Sequence, residues 1–333
     1  MNITIKDIAK KANVSYATVS RALSGSGEIN GETKKRILHL ADEMGYSPNI
    51  IARGLVTKST YTIGLIIPDI TNPFFAEVSR GAGDCAFQNG YNIFLCNSSW
   101  NIQRETESLD KLFNSRVDGI IITPVSNNVS HIIEMSEKIP IVFAANKPPD
   151  AQANYIVTDN YKGSNLAMDY LIKLGHKRIA FVGGSRSDYG TSSRLQGYLD
   201  SLERYHLDVS PDIIMLGQLT SDSGYHLVKE MLVKSELPTS ILACNDIVAL
   251  GVIQAVEEYG LKVPKDISVI GFDDISFASL HKIQLTTIFQ DKYEIGKLSV
   301  QLLIDRLRNK DLAENKQHIL EPKLIIRKTC KGV

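Results

Sequence analysis

At 333 residues, 43% hydrophobic and 22% charged, the chain has the composition of a folded protein with two or three domains and ample core, which excludes disordered and fibrous classes. Its formal net charge is zero, which taken whole argues against a nucleic-acid partner. The charge is unevenly placed, however: residues 1–60 carry nine Lys and Arg against five Asp and Glu, and a basic end on a neutral or acidic body is the footprint of a DNA-binding head.

The predicted elements begin at Thr4, which with Asp7 forms the weaker, aspartate version of a capping box and starts a helix over Ile5 to Ala12. Asn13 stands where the following turn needs a left-handed residue. Ser15 caps a second helix, and Ile8, Ala9, Val14, Val19 and Leu23 close a small core between the two. Two short helices joined by a tight turn form a helix-turn-helix, whose second helix must present a polar face to enter a major groove. That face holds Tyr16, Ala17, Thr18, Ser20 and Arg21. Arg21 suits a bidentate contact to guanine and Ala17 a thymine methyl, while the hydroxyls suit bases or phosphates. Asn30 caps a third helix that runs to about Met44 and stops at Gly45, with Ile37, Leu40 and Ala41 facing inward. Lys34, Lys35 and Arg36 are either non-specific phosphate partners or plain surface charge.

Pro48 suits the first turn of a further helix over the Ser47–Leu55 segment. Helices below about 12 residues are marginal alone in water, so this one is expected to order only when something stabilises it. Leu55 then packs on a partner copy or wedges into a minor groove, unless the segment is a plain linker.

Residues 3–58, with Ser15-Tyr16-Ala17-Thr18-Val19-Ser20-Arg21 and Tyr46-Ser47-Pro48-Asn49 followed by Ala52-Arg53-Gly54-Leu55, closely resemble the LacI/GalR family of bacterial transcription regulators, and the likeness continues along the whole chain. The resemblance implies a second helix that reads a half-site and paired hinge helices that insert Leu55 into the central minor groove. DNA contact is accordingly expected from Thr4, Ile5, Ser15, Tyr16, Ala17, Thr18, Ser20, Arg21, Asn30, Lys34, Asn49, Ala52, Arg53 and Leu55. The implied fold class is α/β: a three-helix helix-turn-helix head and hinge helix, then a periplasmic-binding-protein-like core of two open parallel α/β subdomains. The domains are 1–46 for the head, 47–59 for the hinge and 60–333 for the core. Within the core, one subdomain takes about 60–159 with 290–318, and the other about 160–288 with 319–333.

The body carries its own pattern in agreement with that fold. Apolar runs predict strands at Thr62–Ile67, Asn92–Cys96, Gly119–Thr123, Ile141–Ala144, Tyr155–Val157, Ile179–Val182, Ile213–Leu216, Ile241–Cys244 and Ser268–Gly271, with a further strand-like run at Lys323–Arg327. Most gaps fit a crossover helix, which implies parallel sheets covered on both faces. Ligands of such sheets bind at the carboxyl ends of the strands. Polar groups that follow strands are therefore cleft candidates: Asp69 and the Thr71–Phe75 turn, Asn146, Asp159, Arg194, Asn245 and Asp273. Phe74 or Phe75 can stack on a sugar face or a base, or be core. Arg194 and Asp273 offer a donor fork and an acceptor pair suited to a polyhydroxylated ligand. Asp246 reads as the N-cap of the next helix, and Asp274 as a turn or interface residue. His176 reads as a helix-to-strand connection.

The family resemblance implies effector contact from Arg194, Asn245, Asp273 and Gln290; with Asp69, Phe74, Phe75 and Asn146 from the strand ends, and Leu219 where some members carry a large aromatic, these form the candidate effector set. Two departures from sugar-responsive members, at Ala145-Asn146 and at Leu219, bear on the effector's identity. Asp69-Ile70-Thr71-Asn72-Pro73-Phe74-Phe75 resembles the pentose- and hexose-responsive members, so a small carbohydrate or derivative, bound between the two core subdomains, is the expected effector.

No phosphate-cradling loop follows a strand. The histidines form no catalytic arrangement, so no enzyme and no cofactor are expected. No run approaches the roughly 18 apolar residues that span a bilayer, and the polar start lacks an export signal. Cys85, Cys96, Cys244 and Cys330 lack metal or disulfide spacing and read as small hydrophobes of a reducing cytoplasm. The end at Val333, without a tetramer-forming heptad helix, leads to the expectation of a homodimer on a pseudo-palindromic operator. The expected function is a repressor of carbohydrate-utilisation genes. The alternative is a catabolite-control-type regulator whose co-effector is a phosphorylated partner protein.

Overall fold

The computed structural model describes residues 3–24, 29–46, 59–148, 152–234, 236–309 and 315–333. The chain forms two compact units, Met1–Thr60 and Tyr61–Val333.

The first unit is three helices, α1 (Ile5–Ala12), α2 (Tyr16–Ser24) and α3 (Gly31–Glu43). Each boundary has a local cause. The Asp7 carboxylate accepts from the Thr4 backbone at 2.9 Å and the Thr4 hydroxyl at 2.7 Å, which holds it below the usual carboxylate range. Asn13 ends α1 at φ 51°, Ser15 Oγ accepts from Thr18 N–H at 3.1 Å, and Asn30 Oδ1 accepts from Glu32 N–H at 2.9 Å. Gly45, at φ 64°, closes α3. Ile8, Val19 and Ile37 are fully buried at the centre, with Val14, Leu23 and Leu40 packed around them. Arg36 is not simple surface charge. Its guanidinium donates to the Ala12 carbonyl at 3.1 Å and so satisfies the end of α1.

The second unit holds two six-stranded sheets. The first contains β1 (Thr62–Ile67), β2 (Asn92–Asn97), β3 (Gly119–Ile122), β4 (Ile141–Ala144), β5 (Asn154–Thr158) and β11 (Gln317–Leu320), in the order β11-β5-β4-β3-β1-β2. The second contains β6 (Ile179–Val182), β7 (Ile214–Met215), β8 (Ser240–Ala243), β9 (Ser268–Asp273), β10 (Thr286–Phe289) and β12 (Lys323–Ile325), in the order β12-β10-β9-β8-β6-β7. The central strands are buried on both faces, which is why unbroken Ile/Val/Leu runs mark them. Helices α4 (Pro73–Gln88), α5 (Ile102–Asn114), α6 (Ser130–Ser136), α7 (Asn160–Lys173), α8 (Tyr189–Arg204), α9 (Ser221–Lys234), α10 (Asp246–Glu258) and α11 (Lys292–Arg308) complete the unit.

Three features depart from the sequence reading. β10 and β11 are strands that no apolar run announces; β11 is an edge whose first three residues are exposed. β12 pairs antiparallel with β10, because only two residues separate it from β11 in the other sheet and no crossover helix fits. The chain passes between sheets after β5, after β10 and after Leu320 rather than at residue 318.

The helices α4 and α11 approach so closely that side chains are excluded from the contact. A Cβ at Gly296 would strike the Val78 carbonyl, and one at Gly81 the Tyr293 carbonyl. Backbone cannot swing aside as a side-chain end can. Gly296→Ala is therefore expected to cost about 3 kcal/mol, read as a lower urea midpoint at unchanged slope. Gly83, in the same α4 but facing open space, is the control: its alanine variant should be neutral or stabilised by about 1 kcal/mol.

Candidate functional site

On the first unit, α2 presents Tyr16, Ala17 and Arg21 to solvent, with Thr18 and Ser20 half-buried. The Ser15 and Thr18 hydroxyls lie 2.8 Å apart and are engaged in the cap. Thr4, Asn30 and Lys34 are exposed, and Ile5 packs on the head's core. The candidates Asn49, Ala52, Arg53 and Leu55 lie outside the described residues.

In the second unit, the carboxyl ends of both sheets converge on a cavity lined by Asn72, Phe74, Phe75, Trp100, Thr123, Ala145, Asn146, Asp188, Gly190, Arg194, Leu219, Asn245, Asp273 and Gln290. The fold brings eight of the nine core candidates together there. Asp69 is the exception: its carboxylate accepts from the Thr71 amide at 2.9 Å and the Thr71 hydroxyl at 2.6 Å, closing a turn. Asp159 also stands apart, capping α7 through Lys162 N–H at 2.9 Å. Asn245, not Asp246, caps α10, accepting from Val248 N–H at 2.8 Å. Asp246, one residue on, accepts from Ile275 N–H at 2.8 Å and the Thr287 hydroxyl at 2.5 Å. Asn72 and Ala145, beside named candidates, and Trp100, Thr123, Asp188 and Gly190 complete the lining. Of the last four, Asp188 alone had a sequence signal, as an N-cap before the helix that carries Arg194; its Oδ2 accepts from Thr191 N–H at 2.7 Å.

The Arg194 guanidinium is fixed on all sides. It stacks 3.8 Å above the Phe272 ring, donates to Asn160 Oδ1 at 2.8 Å and the Cys244 carbonyl at 2.6 Å, and lies 3.7 Å from Asp273 Oδ1. Gln290 donates to that same oxygen at 2.6 Å. Burial pushes the Asp273 carboxyl up to about 6, against the Arg194 and Lys292 charges and the Gln290 bond. Burial, then the Asp273 charge, lifts Asp246 well above the carboxylate range. Phe75 meets Phe74 edge-on at 5.0 Å and Trp100 at 6.1 Å, giving one wall an aromatic surface. The Thr123 hydroxyl is buried without a protein partner.

Contacts cross between the two sheets' loops at the rim. Asn146 donates to Asp188 Oδ1 at 2.7 Å, and Asn127 N–H to the Ser187 carbonyl at 2.7 Å. The space enclosed is about 50 Å³, far below the roughly 300 Å³ of an ordinary ligand pocket. A ligand therefore enters only if the rim contacts part. The lining offers carboxylate acceptors, amide and guanidinium donors and flat apolar faces, and this set binds polar molecules without reacting with them. Among the described residues no group of His, Cys, Asp and Glu could hold a metal ion, and no helix is long and apolar enough to cross a membrane.

Residues 4–49 match the bacterial regulatory proteins of the lacI family, and residues 168–330 match the periplasmic binding protein-like domain. Catabolite control protein A of Priestia megaterium is 37% identical over 99% of this chain and 100% of its own. The HTH-type transcriptional repressor PurR of Pasteurella multocida is 34% identical over 99% of both. Among solved structures, a Lac repressor dimer bound to operator and the anti-inducer ONPF superposes with a TM-score of 0.89 at 28% identity, covering 99% of this chain and 100% of that one. A LacI family regulator from Enterococcus faecium with bound ribose superposes with a TM-score of 0.73 at 32% identity over 82% and 99%. The chain is a member of the LacI family of DNA-binding transcription regulators, with an effector-binding core, and not an enzyme.

Proposed function

We propose that this regulator is a homodimeric repressor of carbohydrate-utilisation genes, released from a pseudo-palindromic operator by a monosaccharide bound between its two sheets. The observation that carries the reading is the cleft lining. Asp188 and Asp273 accept, Arg194, Asn146, Asn245 and Gln290 donate, and Phe74, Phe75 and Trp100 supply apolar faces, the complement of a small neutral polyol. The ribose complex of the Enterococcus faecium relative supports the same class.

In this reading the α2 face formed by exposed Tyr16, Ala17 and Arg21 and half-buried Thr18 and Ser20 enters the major groove, with Ser15 shaping the helix start and Thr4, Ile5, Asn30 and Lys34 meeting the backbone. The edge strand β2 exposes Phe94 and Leu95 by 51% and 40%, a surface suited to a second copy. Sugar binding changes the angle between the sheets and so the spacing of the paired 47–59 segments at the dimer axis. A coupling of about 1–3 kcal/mol makes a useful switch. Leu55→Ala should weaken operator binding and leave sugar binding intact; equal operator affinity removes the wedge role.

The 37% identity to a catabolite control protein favours one rival, a phosphorylated protein as co-effector. Calorimetry of the full-length protein against pentoses, hexoses, purine bases and a phosphorylated partner protein separates these. Heat from a monosaccharide alone supports the proposal, and heat only from a purine or the protein overturns it.

A further inference from the structure

The end of β9 breaks a backbone rule twice in succession. Asp273 has φ 117° and Asp274 φ 52°, in the half of backbone space that residues with a Cβ avoid. Such outliers persist only where the surroundings over-determine them. Gln290 holds the Asp273 carboxylate at 2.6 Å, Arg327 pairs with the Asp274 carboxylate at 2.7 Å and the Thr287 hydroxyl accepts from Asp274 N–H at 3.4 Å, but the carbonyls of the turn are gripped by one side chain. Lys292 Nζ donates to the carbonyls of Asp273 at 2.6 Å, Asp274 at 2.9 Å and Gln290 at 3.1 Å, which uses all three ammonium hydrogens.

Nothing in the local sequence favours a lysine at this point. It is 8% exposed, and burial holds its pKa below the ordinary value. It is also the first residue of α11, where the helix dipole disfavours a cation. The ring of Phe289 lies 5.1 Å away and would pack as well against an apolar chain. A residue unfavourable by burial and by helix position, placed against a strained turn beside a ligand cavity, is the pattern of a functional constraint.

We propose that Lys292 is a positioning residue for effector recognition: by gripping the carbonyls of Asp273 and Asp274 it holds the strained turn that aims the Asp273 carboxylate into the cleft. The inference rests on the reading that Asp273 contacts the effector. Lys292 begins the helix that covers the first sheet, while Asp273 ends a strand of the second, so the same bonds tie the two halves at a crossover. Without the ammonium, the Asp274 carbonyl loses its lysine donor and the Asp273 carbonyl keeps only the 3.5 Å contact from Gln290 N–H, so the strained turn loses its firmest hold. The carboxylate then leaves Gln290 and Arg194.

Crystal structures of full-length wild type and Lys292→Met test this without any ligand. The expected result is intact sheets, Asp273 relaxed to negative φ and its carboxylate withdrawn from Gln290. Asp273 unmoved in the variant overturns the proposal. If the Met variant does not fold, Lys292→Gln, neutral and shorter, is judged by the same two outcomes. In parallel, emission of Trp100, the one tryptophan in the chain, is followed while D-ribose is added. Where ribose shifts the wild-type emission, the variant should bind it at least tenfold more weakly, and equal affinity overturns the proposal. A wild type that ignores ribose and every other monosaccharide counts against the sugar reading alone, and the crystal structures still decide the role of Lys292.

Discussion

Asp273→Asn should weaken effector binding about a hundredfold at neutral pH and remove its acid dependence. The asparagine keeps the shape and the Gln290 bond, but loses the charge that faces Arg194. A hydrogen bond from a ligand hydroxyl to a buried carboxylate contributes about 1.5–3 kcal/mol, and the upper half of that range is roughly a hundredfold in affinity. The pH dependence follows from the direction of the shift. Burial raises the carboxyl from 3.8 to about 6, so the folded, unliganded protein disfavours the charge. The penalty is fully present above pH ~6 and gone below pH ~4, about 3 kcal/mol from this one group. Lowering the pH through that window should thus add stability to the unliganded protein. A polyol needs the ionised form, so its affinity should be flat above pH ~6 and fall about tenfold per unit below it. Calorimetric titrations between pH 5 and 8 measure both. An acid limb that survives in Asp273→Asn would assign the titration to a neighbour such as Asp246.

The second large effect is expected at Arg21. Its side chain lies exposed on α2, beside Ala17 one turn away. A bidentate contact to guanine discriminates by about 1–3 kcal/mol. In a twofold dimer both half-sites lose it together, so Arg21→Ala should cost about 2–6 kcal/mol, at least thirtyfold. The variant should select operators with one base pair per half-site relaxed, while the slope of affinity against salt stays unchanged. Lys34→Ala is expected to behave oppositely, with weaker binding to all sequences and a shallower salt slope. Selection from random duplexes by each protein distinguishes the two. If Arg21→Ala retains the wild-type preference at every position, Arg21 is a phosphate partner and the reading face must be reassigned.

What was legible in the sequence was local. Asn13, Ser15, Asn30 and Gly45 act on backbone groups within four residues, so the head's helix limits follow from side chains a single turn away. The central strands were legible because burial on both faces demands unbroken apolar runs. The exposed edge β11 has no such demand and left little trace, whereas β12 was legible as the strand-like run at Lys323–Arg327. The family pattern marked Arg194, Asn245, Asp273 and Gln290, and these meet at one cavity.

Only the tertiary structure decided the rest, because those interactions join segments far apart in the chain. It turned Asp69 into a turn residue, exchanged the capping roles of Asn245 and Asp246, and brought Thr123 and Trp100 to the lining. Asp188 meets Asn146 across 42 positions. Lys292 finds the carbonyls of Asp273 and Asp274 only because β9 and β10 lie side by side. A residue's own sequence neighbourhood sets its backbone preference. Burial and long-range hydrogen bonds can override that preference, and in this chain they do so at the end of β9, beside the cleft.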